Sequence, residues 1–515
     1  MGSCDRDLYN SRLLDVHRVS DHPEVKRLLD DIWDTYFSHK FDVTKTGPKP
    51  KGRPKQQYKV LFLDLYVCWT QDPTQCLAVS LTNGAFKVSS RYNDLHISDM
   101  IREVIAHSVD CGLIGFYRGN ESAGVVSRVW PSQLLIKRFK KAKFTIFDID
   151  RSEKQEVIIL NLKDNQLDSD APKKSRAKPI EYQDTDFADI PEMRYQLQNY
   201  NTLLARSFID IGSLDQPWFE RPVWDKKRNK TVKQKVHVTQ NNKFVRRIFT
   251  RGDWNLGGRF YGGFWQQVGE DLRKHILIND KRTVEIDYSG FHVNLCYAIK
   301  GTEPIGDPYT ISEDLFCDVD RAQQRNAIKI LSLCAINAKD EKSTYQAFRD
   351  EQETGSVLKR LKDKELAYAL QAFKERHSSI SEFICTDKGV ELQNLDGKIT
   401  ARIMEAFTMR GVPVLTIHDS YIVPDGEDSE LVRQMDDAVD RLLPNTKVPI
   451  KPNKIGAGQS IEMWTQAPVT PYERNQGLHL AFNRVNSDVN RCKGYNKRLE
   501  SWNSWIESNG VSLQQ

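Results

Sequence analysis

The stretch Val414–Pro424, VLTIHDSYIVP, sets a three-residue polar island between two apolar, β-rich runs. The pattern predicts two strands joined by a polar tip. A turn accounts for Asp419 and Ser420. A carboxylate held at a cleft for a metal accounts for His418, Asp419 and Ser420 together. The hairpin lies in a region, residues 240–465, that reads as one large α/β unit.

Bulk properties limit the rest. At 515 residues the chain is too long for one core, so two or three domains are expected. A content of 39% hydrophobic and 28% charged residues suits a soluble globular protein. No apolar run approaches the length of a membrane span, and MGSCDRDLYN lacks the order of a secretory signal. Gly2 is present, but Arg6 stands where a myristoylation pattern needs Ser or Thr. Nine cysteines with no CxxC pair argue against a disulfide framework, a disulfide-linked partner or a zinc ribbon. A reducing, cytoplasmic setting fits them. The net charge of +5 hints at a polyanionic partner.

Along the chain, residues 1–57 end in a basic segment, KTGPKPKGRPK at 45–55, which should be extended. Lys51, Arg53 and Lys55 in its KGRPK centre resemble an AT-hook, whose arginine enters a narrow minor groove. A solvated basic linker is the alternative. Residues 58–162 hold apolar runs, then a helical pattern ending at Gly112, a hairpin carrying Arg118 and Arg128, and a basic helix. That is the plan of a winged helix, in which a hairpin touches DNA backbone. An ordinary α+β domain with a surface hairpin has the same order of elements. Residues 163–191 read as a polar linker. MRYQLQNYNTLLARSFIDI reads as a helix, and RPVWDKKRNKTVKQK as a strongly basic hairpin or loop. A large domain is expected over 192–465, and 466–515 reads as a polar tail with Trp502 and Trp505 on a short helix.

Two further stretches bear on the hairpin. In TVEIDYSGFHVNLCYAIKG, 283–301, Val284 and Ile286 alternate as a strand that ends on Asp287, just before a helix. Asp287 is placed either to project onto a cleft floor or to act as that helix's N-cap. In DRAQQRNAIKILSLCAINA, 320–338, Arg321, Arg325 and Lys329 recur every four residues and line one helix face. No acidic residue answers them at i+3 or i+4. Three like charges repel by a few tenths of a kcal/mol per pair, and a triphosphate reverses that sign. Asp287 and Asp419 make a pair of strand-end carboxylates, which with phosphate oxygens is what Mg²⁺ prefers.

Together these residues resemble the family A DNA polymerases and the single-subunit, phage-type RNA polymerases. DYSGFH at 287–292 is similar to their motif A, Arg325-x3-Lys329 to motif B, and IHDSYIVP at 417–424 to motif C. DWNLGGRFYG at 253–262 is similar to their Gly-Arg motif, and QNLDGKITARIMEAF at 393–407 to the helix before motif C. All five stand in the family's order within about 170 residues, covering only the C-terminal half. The resemblance implies an α/β (α+β) right-hand fold with palm, fingers and thumb. It implies a DNA template, a primer and nucleoside triphosphates as partners, and two Mg²⁺ ions, with Mn²⁺ as a substitute. Asp287, Asp419 and the Tyr288 carbonyl would hold the metals. Arg325 and Lys329 would bind the triphosphate, and Lys329 would protonate the departing pyrophosphate. His418 would meet the primer terminus, Arg259 the nucleic-acid backbone, and Gln393 the minor-groove side of the new pair.

The chain departs from the family at three places. Asn337 and Ala338 replace the tyrosine and glycine after Lys329, and Leu333 stands where the DNA enzymes commonly have phenylalanine. His292 occupies the sugar-gate position that is glutamate in the DNA enzymes. Its bulk argues for deoxynucleotides, whereas HDS and DWNLGGR lean to the RNA branch, so the product is left open. No acidic set in residues 1–240 supplies a proofreading exonuclease. A replication or priming enzyme of a mobile element, bacterial or phage-encoded, suits this architecture. The alternatives are a two-metal nuclease or transposase, and a non-catalytic DNA-binding replication initiator.

Overall fold

The computed structural model describes residues 6–41, 53–120, 125–162, 177–225, 230–451, 454–455 and 490–509. It is a mixture of helices and several small sheets. The chain divides into two compact units, one of Met1–Val157, Leu214–Asn242 and Cys492–Gln515, the other of Ile158–Ser213 and Lys243–Arg491. No helix among the described residues is long and apolar enough to cross a membrane.

In the first unit the helix Pro54–Gln71 is buried along most of its length. Proline at its first position suits a helix start, because that N–H has no intrahelical partner anyway. Trp33 and Phe37 stack at 5.5 Å, and Phe37 meets Tyr58 of the long helix at 4.7 Å. Asp64, fully buried at mid-helix, accepts two 2.7 Å hydrogen bonds from Arg12, whose strand Ser11–Leu13 is thereby tied to the helix. That strand edges a four-stranded sheet followed by Cys76–Val79, Ser127–Pro131 and Ile114–Tyr117.

Several expectations change here. The segment read as extended is helical from Pro54, and Lys55 faces its own unit: it pairs with Asp30 at 3.1 Å and lies over the Trp33 ring. Arg53 is the exposed residue before that helix, and Lys51 lies outside the described residues. The boundary expected at 57/58 falls inside the helix. The expected hairpin forms, yet Ser127–Pro131 is an inner strand of the sheet, so the hairpin is not a free wing. Arg128 is 8% exposed and donates to the Leu8 carbonyl at 2.9 Å, which removes it from any surface contact with DNA backbone. Residues 218–237 include a two-stranded antiparallel ribbon, Trp218–Asp225 with Lys230–His237, which belongs to this first unit, although the sequence placed it inside the 192–465 domain. In the expected polar tail, the helix Lys493–Asn509 buries Trp502 against Phe147, and Trp505 donates to Asp148 at 2.7 Å.

The second unit is built round an antiparallel sheet ordered Leu415–Ile417, Ser420–Pro424, Thr283–Asp287 and Lys454–Ile455. The long helix Gly389–Met409 packs on the strand Asp253–Tyr261 and on the helices Ile190–Ala205 and Asp428–Leu442. A second cluster joins the helix Arg321–Asn337 to Glu341–Glu351 and Asp363–Arg376. The expected linker 163–191 is ordered where it is described: Lys178–Pro179 pairs with Ile158–Leu162, and the buried Tyr182 donates to the Ile158 carbonyl.

Candidate active site

The site starts from strand alternation. Val284 and Ile286 are each 1% exposed on the core side, which turns Glu285 and Asp287 to the other face. Asp287 lies opposite Ser420, the Tyr288 N–H donates to the Asp419 carbonyl at 3.2 Å, and Ile417 also pairs with Ser420. The register therefore sets Asp287 beside the two-residue turn His418–Asp419. The N-cap of the helix Phe291–Ile299 is Gly290, with φ of 56°, so Asp287 is not its cap. His418 holds a positive φ of 56°, a conformation that costs a non-glycine residue about 1 kcal/mol or more. Such strain is characteristic of functional turns.

The two carboxylates feel each other. Burial, and next the negative charge of Asp287, push the half-buried Asp419 carboxyl above its ordinary range, against Arg259. Lys451 answers Asp287: its Nζ is 2.6 Å from Oδ2, and its N–H donates to the Asp287 carbonyl at 2.9 Å. Glu285 is occupied by Arg273 at 3.1 Å and by the Ser420 hydroxyl at 2.7 Å. The Tyr288 side chain is buried, stacked on Phe291 and donating to the Met435 carbonyl, leaving its backbone to line the strand end.

Beneath the turn is a buried polar cluster. Arg259 pairs with Asp396, which is 0% exposed, and donates through Nη2 to His292 Nε2 at 2.8 Å. Burial raises Asp396 to about 6 despite Arg259, with Asp419 adding to the rise. Burial, then the charge of Arg259, lowers His292 to about 3, so its imidazole is neutral. Two glycines bring this cluster together. A Cβ on Gly397 would lie 2.1 Å from the Gly258 carbonyl oxygen, and Gly258 itself holds a φ of +80°. The strand with Arg259 and the helix with Asp396 thus touch backbone to backbone.

The basic helix face is not unanswered. Arg325 makes a two-pronged pair with Asp307, at 2.9 and 2.7 Å, and Arg321 pairs with Asp314 at 3.0 Å. These partners come from the preceding loop, outside the helical window. Lys329 has no ion pair or side-chain hydrogen bond among the described residues. Tyr309 lies between this helix and the Gly290 turn that follows Asp287: the Arg325 guanidinium lies 5.6 Å from its ring, and its hydroxyl is 3.2 Å from where a Gly290 Cβ would be. Burial, then Asp307 and Asp419, push the Tyr309 hydroxyl up to about 12.

Other expected residues lie further out. Asn337 is exposed, donates to the Leu333 carbonyl at 2.8 Å, and crowds Gly389 rather than the turn. Gln393 is half-buried on the long helix, one position before Asn394, which holds the Trp254 carbonyl. A recess of about 380 Å³ between that helix and the Gly-Arg strand is lined by Asp253, Asn255, Glu391, Asn394 and Lys398, not by Asp287 or Asp419.

Lys451, Tyr309 and Asp396 were missed by sequence reasoning. Asp396 had a signal: with Leu392, Ile399 and Ile403 it falls on one apolar stripe of the helix. No group of three or more His, Cys, Asp and Glu side chains is placed for a metal ion among the described residues. Two adjacent carboxylates still suit a hard cation that takes its remaining oxygens from carbonyls, water and phosphates. The Lys451 ammonium on Asp287 and the raised Asp419 carboxyl both mark a place where positive charge is stabilising.

No family model matches the chain, and no curated protein matches it in sequence. Among solved structures it is similar to the POL domain of Pol1 from M. smegmatis in complex with DNA primer-template and dNTP, at 10% identity and a TM-score of 0.29. The match covers 42% of this chain and 48% of that one, so the chain spans about half of its length. A likeness that weak carries no argument, and the functional reading rests on the site.

Proposed function

We propose that the chain is a template-directed nucleotidyltransferase that extends a nucleic-acid strand by phosphoryl transfer. The observation that supports it is the register setting Asp287 beside the His418–Asp419 turn, with Tyr309 between the Gly290 turn and Arg325. In this reading the four-stranded sheet is the palm and the helices from Arg321 to Arg376 belong to the fingers.

Asp287, Asp419 and the Tyr288 carbonyl would hold two Mg²⁺ ions. When bound, these would neutralise charge on the attacking and leaving oxygens. The chain's own residues do the positioning. Lys451 would have to release Asp287 for the carboxylate to hold a cation, and Arg325 would exchange Asp307 for a phosphate, an exchange open to it because the guanidinium is half exposed. Lys329 offers an ammonium to the departing pyrophosphate. The Arg259–Asp396 pair holds His292 and the floor under His418, which faces the strand terminus. A guanidinium only donates, so His292 Nε2 accepts and its ring proton lies on Nδ1. That Nδ1 is buried without a partner among the described residues and would offer a donor to the incoming sugar.

Primer extension with deoxynucleotides and ribonucleotides side by side, with and without primer, tests this. Extension of a labelled primer in the presence of template supports it and reports the sugar preference. Degradation of the strand without added nucleotides would instead establish a two-metal nuclease.

A further inference from the structure

We propose that the ribbon Trp218–Asp225/Lys230–His237 is an arm that binds single-stranded nucleic acid. Residues 218–237 carry seven lysines and arginines against Glu220 and Asp225, a net +5 that equals the net charge of the whole chain. Such an excess attracts a polyanion, and four of the seven, Arg221, Lys230, Lys233 and Lys235, lie on the described strands.

The ribbon is fixed at its root and open beyond it. At the root His237 lies across from Trp218, Val236 is buried, and Asp72 receives both Lys235 at 3.1 Å and His237 at 3.4 Å. Gln75 reaches the same imidazole at 3.2 Å, and the Lys235 ammonium covers the Trp218 ring at 4.1 Å. Hydrogen bonds and opposite charges therefore clamp one end. Further out, Pro222, Trp224, Lys230, Thr231, Lys233 and Gln234 are exposed. Among the described residues the sheet has two strands, with no neighbouring strand paired to either edge.

Register assigns the faces. Trp224 opposite Thr231 and Pro222 opposite Lys233 share one face, while Arg221 and Lys230 lie on the other. Among the described residues Lys233 is answered by Glu220, at 3.3 Å on an exposed surface, a pair worth little in water. Trp224 is 54% exposed, an indole left in solvent with Lys233 on its own face and Arg221 and Lys230 on the other. Cations that follow a phosphate backbone together with an aromatic ring that stacks on a base form a platform for unpaired strands. A duplex hides the base faces that such a ring needs, which selects single strands.

This inference does not depend on the catalytic reading, and binding tests it on the full chain. The probes are an oligothymidylate of about 16 nucleotides, a length at the upper end of single-module sites, the matching duplex, and phosphatidylserine vesicles. Binding is followed by fluorescence anisotropy or co-sedimentation over a range of salt. Replacing Arg221, Lys230 and Lys233 together by glutamine should lower the slope of log affinity against log salt by about 2, at about 0.7 per lost phosphate contact. Trp224→Ala should weaken oligothymidylate binding about tenfold with the slope unchanged, as a stacking loss does. Wild-type binding by both variants overturns the proposal. So does equal loss on duplex and single strand in Trp224→Ala, or binding of vesicles in place of oligothymidylate. Asp419→Asn should bind like the wild type, so a failure of catalysis leaves this result readable.

Discussion

Gly397→Ala sets two calculable effects against each other. Alanine in a helix interior is favoured over glycine by about 1 kcal/mol, so propensity alone predicts a more stable helix Gly389–Met409. The added Cβ, however, would lie 2.1 Å from the Gly258 carbonyl oxygen, where ordinary contact begins at 3.4 Å. Helix and strand must separate by more than an ångström. Gly258 precedes Arg259, whose 2.8 Å bond to His292 and ion pair with the buried Asp396 cannot survive such a shift intact. Overpacking costs about 1–3 kcal/mol, and breaking a buried ion pair about 3–5 kcal/mol if nothing relaxes. With partial relaxation the net loss should be about 2 kcal/mol, roughly a 30-fold rise in the opening constant. Hydrogen exchange of the 389–409 amides reads that constant in this unit alone, without assuming that both units unfold together. Gly269→Ala is the control, since a Cβ there meets nothing within 4 Å. Equal or slower exchange in Gly397→Ala would refute the close approach and the placement of Arg259 that follows from it.

Lys451→Ala should tighten Mn²⁺ binding in the absence of nucleotide by about threefold, the scale of an exposed ion pair; weaker or equal binding, read by the resonance of free Mn²⁺, would contradict the counter-ion role. His418→Ala should be less stable than His418→Gly by about 1 kcal/mol, because only glycine takes the positive φ without cost; urea midpoints for the pair check it. Asp396 is raised to about 6 from an ordinary 3.8, so its contribution to stability is full below pH 3.8 and is lost as pH rises through 6. The total is about 3 kcal/mol, and Asp396→Asn should flatten the stability profile between pH 4 and 6, where an unchanged slope would dismiss the assignment.

The strands that carry the site were legible because their patterns are local. Val284 and Ile286 alternate, and VLTI and YIVP are apolar on either side of a turn. Their pairing was not legible, since the register of Asp287 with Ser420 is a tertiary fact settled across 133 residues. The same distinction explains the basic helix. The spacing of Arg321, Arg325 and Lys329 was visible, but Asp307 and Asp314 approach through space from a loop that carries no periodicity. Lys451 follows a stretch with nothing to mark it, and only the backbone pairing with Asp287 brings it to the site. Arg128 and Lys55 misled for the opposite reason. A charge in a sequence reads as exposed, whereas here one is buried on a carbonyl and the other is paired to its own unit. Trp502 and Trp505 sat in a polar tail whose apolar partners lie more than 350 positions earlier.

In the proposed function Asp419 serves chemistry and not the grip on nucleic acid. Primer extension and DNA binding measured on one preparation of Asp419→Ala test it most directly. Incorporation that depends on a divalent cation should be abolished while affinity for primer-template stays within about twofold of the wild type, since removing one carboxylate takes away no cationic phosphate contact. Incorporation at the wild-type rate by Asp419→Ala would contradict it.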